Sequence, residues 1–360
     1  MGQAIGKVDR RLFEEVIFPN LGAKDPTVIV GPRFGVDFAV VEVGERVLIV
    51  EVDPVFVVPE YGWERSAWFA VHILASDVAV SGVPPRYLFI DLNLPLSMTD
   101  EEFRALWRGI HNECERLGIS IAGGHTGRYG GVDYPMLGGA VMMGVADRDS
   151  YVTPAMAGPG DLVIMTKGPA IETAGILATM FPEVLAKAYG WEFSERAKEI
   201  FWLQTVVPDA LTLAKVGLRT GVTAMHDATE YGVWGALHDV AKASGVGMKI
   251  YGDRLFVRED VMKVIRAFSD LTGIRVDPFS AISEGTLIAT VRPEKAQAAL
   301  ELLREQGIDA AVIGEVTKDE RVVLISGSSE YEVPVPRQDP FWPMFFRTLK
   351  ILGRRRDGRA

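Results

Sequence analysis

The sequence predicts an α+β protein that is built from two units in series. Strand-like runs of β-branched residues alternate with amphipathic, helix-like segments along its 360 residues. The stretch RDSYVTPAMAGPGD concentrates Pro and Gly near residues 148–160, and a second series of strands and helices follows it. We therefore assign 1–153 to an N-terminal domain, 154–330 to a C-terminal domain and 331–360 to a tail.

The first unit begins with two β-branched runs, 36–43 and 46–52, which predict a β-hairpin. ERSAWFAVHILASDVAVSG is apolar on several faces and predicts a buried helix that ends at Gly82, and PRYLFIDLNLP predicts a strand. TDEEFRALWRGIHNECERLG opens with a capping Thr and an acidic first turn, so it predicts a helix that ends at Gly118. SIAGGHTGRYG predicts a strand that runs into a glycine-rich turn, and YPMLGGAVMMGVAD predicts another strand.

The second unit repeats this alternation. Strands are predicted at DLVIMTKG, MKIYG, EGTLIATV and AAVIGEVT, and helices at PAIETAGILA, 183–217, EDVMKVIRAFSDLTG and PEKAQAALELLREQG. In AMHDATEYGVWGALHDVAKASGVG, the apolar spacing from Val233 to Ala241 predicts a further helix. Asp227 and Thr229 stand just ahead of that helix, where they either cap it or bind a ligand at its N-terminus.

Composition excludes several classes of protein. A formal net charge of −10 argues against nucleic acid as a partner, because such binding relies on clustered Lys and Arg. We find no signal sequence and no apolar run of the roughly 20 residues that span a membrane, so we expect a cytoplasmic protein. The single cysteine, Cys114, excludes an intramolecular disulfide and is predicted to be a packed thiol.

Several carboxylates and glycines are not explained by the pattern of core residues. Asp37 and Asp53 lie at strand ends, whereas Asp77 lies inside an apolar helix, where an acid must be partnered or bind something. The glycines of AGGHTG, at 122–127, offer amides that can approach an anion. Carboxylates with oxygen-rich loops suit Mg²⁺ bound through phosphate, so the combination predicts a nucleotide site.

Five motifs then occur in order between about residues 30 and 325. They are GVDFAVVEVGERVLIVEVDP with the following LASDVAVSG, AGGHTG, GDLVIMTKGPAIETAGILA, AMHDATEYGVWGALHDVAKASGVGMKI and DPFSAISEGTLIATV. The chain resembles the aminoimidazole ribonucleotide synthetase (PurM)-like ATP-binding superfamily. Its branch is closest to the hydrogenase maturation factor HypE and its archaeal relatives, and thiamine-monophosphate kinase and selenophosphate synthetase are cousins.

The resemblance implies a two-domain PurM-like fold. The N-terminal domain would pair its strands across a homodimer, and ATP would lie between it and the C-terminal α+β domain. It further implies that Asp37, Asp53 and Asp77 hold Mg²⁺, and that Asp53, Asp77 and Asp227 are the catalytic acids. The remaining residues expected to bind ATP are Gly123, Gly124, His125, Thr126, Lys167, Thr229 and Glu284.

This sequence departs from the family motifs at several positions. His125 replaces the Asp of kinase-like members but matches the His of selenophosphate synthetases, and Ser76 replaces an Asn. Glu230 replaces an Arg, so a positively charged substrate group or an additional metal would suit this position. Lys167 follows a strand, where it either contacts phosphate or substrate or is a solvated strand-end lysine.

We favour an ATP- and Mg²⁺-dependent enzyme that activates a substrate oxygen by phosphoryl transfer. Factors of the HypE type end in an acceptor cysteine, whereas this chain ends LGRRRDGRA, so we expect a small-molecule substrate. The alternative is a non-catalytic nucleotide-binding maturation or scaffold protein, and kinase and synthase chemistry both stay open. The tail predicts an apolar helix with a basic end, which either packs back onto the protein or docks on a partner or an anionic membrane surface.

Overall fold

The computed structural model describes residues 10–33 and 35–354. Its first half contains a six-stranded sheet with the strand order β1-β2-β3-β6-β4-β5. The elements of this half are α1 (Arg10–Leu12, continued by a π-helical turn over Phe13–Ile17), β1 (Val28–Val30), β2 (Ala39–Val43), β3 (Arg46–Phe56), α2 (Trp63–Ala79), β4 (Pro85–Pro95), α3 (Asp100–Leu117), β5 (Ser120–Tyr129) and β6 (Met136–Asp147).

Local sequence signals account for most of this half. The predicted hairpin is confirmed, with Val43 paired to Arg46 beside its turn. The predicted capped helix is confirmed as α3, because Thr99 and Glu102 form a reciprocal capping box and Gly118 ends the helix in the left-handed region. All neighbouring strands of this sheet are antiparallel except β4 and β5, which run parallel.

The second half contains a seven-stranded sheet with the order β13-β12-β9-β11-β7-β10-β8. Its elements are β7 (Leu162–Thr166), α4 (Ile171–Met180), α5 (Pro182–Tyr189), α6 (Trp191–Ala197), α7 (Val207–Ala214), β8 (Val222–Asp227), α8 (Gly232–Ser244), β9 (Gly247–Tyr251), α9 (Glu259–Thr272), β10 (Leu287–Val291), α10 (Pro293–Glu305), β11 (Ala310–Thr317), β12 (Val322–Ser326), β13 (Ser329–Glu332) and α11 (Phe341–Ile351). Sequence patterns missed β8 and the β12–β13 hairpin.

Helix α2 connects the two halves. Its small and aliphatic residues pack on the first sheet, and the cluster that they form also contains Val206 and Leu287 from the second half. Its aromatic residues Trp68 and Phe69 instead join the helical layer of the second half. An acid on α2 is therefore placed at the junction of the two sheets.

The tail packs back onto the protein, as one of the two hypotheses predicted. Helix α11 buries one face in the helical layer formed with α4, α5 and α9, through Phe341, Met344, Phe345 and Leu349. At its end, Arg354 donates hydrogen bonds to the Met180 carbonyl (2.6 Å) and to Glu183 (2.8 Å). The other arginines of the predicted basic end, 355 and 356, lie outside the described residues.

Two sequence expectations can be compared with this fold directly. Cys114 is buried on α3, which confirms the packed thiol, and burial raises its pKa to about 12. Within residues 10–33 and 35–354, none of the helices has the length and apolar character that crossing a membrane would require.

Candidate active site at the junction of the two sheets

The first set of acids comes from the N-terminal half. Glu51 and Asp53 are two residues apart on β3, so their side chains share the face of the sheet that α2 covers. Asp77 approaches them from α2, and one carboxylate oxygen from each residue lies within 4.8 Å of the others. Glu51 occupies a position in the strand pattern that Val47 and Ile49 fill with core side chains.

Burial and mutual repulsion dominate the electrostatics of this set. Burial, followed by the charge of Asp53, raises the pKa of the Glu51 carboxyl well above its usual range. Burial, followed by the charge of Asp227, does the same to the pKa of Asp77. Neither carboxylate oxygen of Glu51 has a hydrogen-bond partner among the described residues. The set is thus suited to a cation or to retained protons.

The second set joins the two halves through a histidine. His226 precedes Asp227 at the end of β8, and its Nδ1 lies 2.7 Å from Oδ2 of Asp37 and 3.6 Å from Oδ1 of Asp227. Its Nε2 lies 3.7 Å from Oδ2 of Asp239 on α8. Burial alone would lower the pKa of His226, but the carboxylates of Asp37 and Asp239 raise it well above the usual value. His226 therefore connects the loop before β2 to β8 through its contacts with Asp37 and Asp227.

A third pair of acids lies beside these sets. The backbone N–H of Glu284, in the turn before β10, donates to Oε2 of Glu172 on α4 (3.0 Å). Burial raises the pKa of Glu172 to about 8. The pKa of Glu284 is also raised by burial and then by Asp227, while a hydrogen bond with Ser76 on α2 lowers it. Asp227 therefore connects all three groups of acids electrostatically.

The AGGHTG residues lie elsewhere. Residues 123–126 belong to the outer strand β5, not to the glycine turn that the sequence predicted. Across the sheet, Gly124 on β5 pairs with Ile90 on β4, Ile90 pairs with Ala140 on β6, and Ala140 pairs with Asp53 on β3. Gly124 and Asp53 are therefore separated by three strand spacings, about 14 Å. Gly124, at φ +148°, is required by packing because a Cβ would lie 1.9 Å from the Ile90 carbonyl oxygen.

His125 and Thr126 occupy exposed positions on the same strand. The Nε2 atom of His125 lies 2.8 Å from the Tyr129 hydroxyl. Within one chain, then, the residues of this motif are not brought together with the acids. They share a sheet with Asp53 but stand at its outer edge.

Lys167 fits neither of its predicted descriptions as a phosphate contact or a solvated lysine. It is buried, and its Nζ donates to Oδ2 of Asp209 (2.7 Å) and to the Thr205 carbonyl (2.7 Å). The ion pair is buried, so the charge of Lys167 is balanced by Asp209 within the protein. This lysine is therefore not presented to a phosphate group as the sequence suggested.

The capping hypothesis for the segment before α8 is wrong. Helix α8 begins at Gly232, and its N-cap is Tyr231, a left-handed residue whose side chain makes no capping hydrogen bond. Asp227 ends β8, and the Thr229 carbonyl accepts hydrogen bonds from the N–H groups of Gly232 (3.0 Å) and Ser283 (3.2 Å). The segment is a loop that connects strand to helix across the site.

Sequence reasoning missed Glu51, Glu172 and Asp239 as members of the site. Glu51 could have been found, since residues i and i+2 of a strand share a face and Asp53 was already a candidate. Glu172 and Asp239 carry no such local signal, because only the tertiary fold brings their helices to β8 and β10.

Known proteins share both halves of the chain. Residues 35–146 match the family described as AIR synthase related protein, N-terminal domain, and residues 158–327 match the corresponding C-terminal domain. The chain belongs to the AIR synthase related family. This confirms the resemblance drawn from the motifs, and with it the two-domain PurM-like α+β fold.

Relatives and solved structures of this family extend over nearly the whole chain. A Methanocaldococcus jannaschii protein named for hydrogenase expression and formation is 27% identical over 331 residues, 90% of this chain and 92% of that protein. The selenide, water dikinase of Citrifermentans bemidjiense is 26% identical over 328 residues, 84% of this chain and 90% of that protein. A structure of the hydrogenase maturation protein HypE in complex with ATP superposes with a TM-score of 0.65 at 20% identity, over 94% of this chain and 98% of that chain.

Proposed function

We propose that this protein is an ATP- and Mg²⁺-dependent enzyme that transfers a phosphoryl group from ATP to an oxygen of a small molecule. The observation that carries the proposal is the convergence of acids from both halves: Glu51, Asp53 and Asp77 form one cluster, and Asp37 and Asp227 form a second one with His226. The burial-raised pKa of Asp77 responds to the charge of Asp227, which relates the two clusters. A HypE structure of this fold in complex with ATP and a selenide, water dikinase relative support nucleotide as the ligand.

The residues present fit Mg²⁺. Mg²⁺ prefers carboxylate oxygens and is usually shared between protein and phosphate, and these two sets each present such atoms within 4.8 Å of one another. Asp53, Asp77 and Glu51 would hold one ion. Asp37 and Asp227 already contact His226, so a second ion between them would require His226 to give up its proton. Bound Mg²⁺ would supply neutralisation of phosphate charge, on which phosphoryl transfer depends.

The chain itself contributes positioning and proton storage. The ion pairs of His226 with Asp37 and Asp227 fix the N-terminal loop relative to β8, so acids from both halves keep their spacing. Glu172, with its pKa raised to about 8, holds a proton at neutral pH beside Glu284. A carboxyl pair of this kind is suited to general acid–base work on an acceptor oxygen.

A small-molecule acceptor agrees with the placement of the thiol and the tail. Cys114 is buried on α3 and has a raised pKa, so it is a poor nucleophile. Helix α11 is packed into the helical layer and does not extend into the acid site. Both kinase and synthase chemistry are compatible with this arrangement.

Calorimetric titration with a non-hydrolysable ATP analogue tests the proposal. Wild type should bind only with Mg²⁺, and Asp53→Asn should weaken binding by about tenfold or more, since it removes a charged ligand. Asp147→Asn is the matched control. Asp147 is an exposed aspartate at the end of the neighbouring strand β6, and its carboxylate forms an ion pair with Arg46 (3.0 Å). Equal affinity with and without Mg²⁺, or an unchanged Asp53→Asn variant, would contradict the proposal and favour a non-catalytic role.

We further propose a homodimer formed through the open face of the first sheet. Val52, Val141 and Phe89 lie side by side across β3, β6 and β4, and Val50, Met143 and Tyr87 form the next row. Val52 is 67% exposed and Phe89 40%. An apolar sheet face of this kind is typical of an interface, and the family resemblance supplies a second copy as its occupant.

Light scattering tests the homodimer. Phe89→Asp should halve the measured mass, because it places a charge in the interface. Leu96→Asp is the control and should leave the mass unchanged, because Leu96 is exposed but lies outside the sheet.

A further inference from the structure

Asp339 lies immediately before the tail helix and is almost completely buried, with 3% of its surface exposed. One oxygen, Oδ1, accepts a hydrogen bond from the N–H of Phe341 (2.9 Å) at the start of α11. The other, Oδ2, accepts from the N–H of Tyr231 (2.8 Å), the residue before α8. The carboxylate therefore binds the first turn of α11 and also the loop between β8 and α8, which is distant in sequence and follows Asp227.

The loop that receives this contact has an unusual backbone. Tyr231 has φ +67°, a left-handed conformation that side chains with a Cβ adopt rarely, and Gly232 follows at φ +60°. A Cβ on Gly232 would lie 2.5 Å from the Ala281 carbonyl oxygen and 2.7 Å from that of Phe279. Gly232 is thus in close contact with the 279–281 loop, and Asp339 binds the left-handed residue directly before it.

The second loop is joined to the first, because the N–H of Ser283 donates to the Thr229 carbonyl (3.2 Å). Ser283 belongs to the turn that presents Glu284. The contact of Asp339 with Tyr231 therefore also bears on the position of this turn. Burial raises the pKa of Asp339 to about 6, while hydrogen bonds from the backbone N–H groups of Phe341 and Tyr231 oppose this rise.

We propose that Asp339 is a positioning residue of the active site, which fixes the 228–232 loop directly and the 281–284 turn through that loop, and thereby sets where Asp227 and Glu284 stand. Its importance for ligand binding rests on the proposed function, but its effect on the loops does not. The tail is then part of the site's framework and not only a cover for the helical layer.

The control for this proposal is the opposite end of the same helix. Arg354, just after the other end of α11, anchors the helix through Met180 and Glu183 and makes its hydrogen bonds to neither loop. Arg354→Ala should weaken the docking of α11 without changing the loops. Asp339→Ala removes the acceptor of the Tyr231 N–H and with it the support of the connected loops, and Asp339→Asn keeps one acceptor oxygen in a side chain of the same shape.

The experiment combines hydrogen exchange measured by mass spectrometry with titration by adenylyl imidodiphosphate and Mg²⁺, on the full chain. Asp339→Ala should accelerate exchange in peptides covering 228–232 and 281–284 by about tenfold or more and weaken analogue binding by a similar factor, as expected for lost hydrogen bonds to a charged group. Asp339→Asn should show a smaller effect in the same direction, and it provides the readout if the alanine variant does not fold. Arg354→Ala should stay within about twofold of wild type in both measurements.

Unchanged loop exchange in both Asp339 variants, or equal effects from Arg354→Ala, would overturn the proposal. A wild type that binds no analogue would instead reject the proposed function, and the exchange measurement would still test the loops. Glycine adopts φ +67° without strain, so adding Tyr231→Gly to Asp339→Ala should recover part of the exchange protection. Absence of any recovery would contradict the claim that Asp339 maintains this backbone conformation.

Discussion

Glu172→Gln is expected to flatten the dependence of the protein's stability on pH between pH 5 and pH 7. The Glu172 side chain is 6% exposed, and burial raises its pKa to about 8 from an ordinary value of 4.5. Above pH 4.5 the unfolded chain releases this proton, whereas the folded protein retains it until the pH approaches 8. The stability contributed by Glu172 is therefore complete below pH 4.5 and is lost progressively as the pH rises toward 8.

The size of the effect follows from the same two pKa values. At pH 7, about 2.5 pH units above the unfolded value, retention of the proton costs about 3–4 kcal/mol at roughly 1.4 kcal/mol per unit. At pH 5 the cost is about 1 kcal/mol. Wild type should therefore lose about 2–3 kcal/mol of its free energy of unfolding through Glu172 between these conditions. Gln keeps the shape and an acceptor for the Glu284 N–H but does not titrate.

Urea unfolding of wild type and Glu172→Gln at pH 5 and pH 7 provides the measurement. For each protein, the free energy of unfolding at pH 7 is subtracted from that at pH 5. The two losses are then compared, because other titrating groups contribute equally to both proteins. Glu192→Gln is the matched control, because the Glu192 side chain is 94% exposed. If wild type and Glu172→Gln lose the same free energy from pH 5 to pH 7, the reasoning about burial of this carboxyl is refuted.

Three further substitutions test the packing by urea unfolding. Lys167→Met should lower the free energy of unfolding by about 3–5 kcal/mol because it leaves Asp209 buried without its cation, and adding Asp209→Leu should recover much of the loss; no recovery would argue against the ion pair. Gly232→Ala should cost about 2 kcal/mol or more, since its Cβ would meet a carbonyl oxygen at 2.5 Å, and a neutral result would contradict that close approach. Met344→Ala should cost about 2–5 kcal/mol if α11 stays docked in solution, whereas a loss below 1 kcal/mol would indicate a detached tail.

Helices and strands whose ends are determined by neighbouring residues could be predicted from the sequence. Those that depend on residues far away in the chain could not. Helix α3 carries its own capping box and terminal glycine, so neighbouring residues determine both of its ends. Strand β8 is buried along its whole length, so it lacks the alternation that marks a half-exposed strand. The glycines of β5 indicated a turn, but they serve close packing against β4, which is a tertiary requirement.

The same distinction applies to the site. Asp53 and Asp77 could be identified because an acid in an apolar strand or helix contradicts the local pattern. Lys167 was assigned an incorrect environment because its partner, Asp209, lies on a different helix. The contact of Asp339 with the site carries no local signal, since it depends on the backbone conformation of a loop more than a hundred residues earlier in the chain.

The position of α11 in the helical layer also has a consequence for synthesis of the protein. Phe181 contacts Phe345, with ring centroids 5.8 Å apart, so a residue is covered by one that is synthesised much later. During translation, the aromatic surface of α4 and α5 stays uncovered until the ribosome has released residues 341–351. A chain that stops just before this segment would therefore lack α11 and keep an exposed apolar surface, which makes it a substrate for chaperones and proteases.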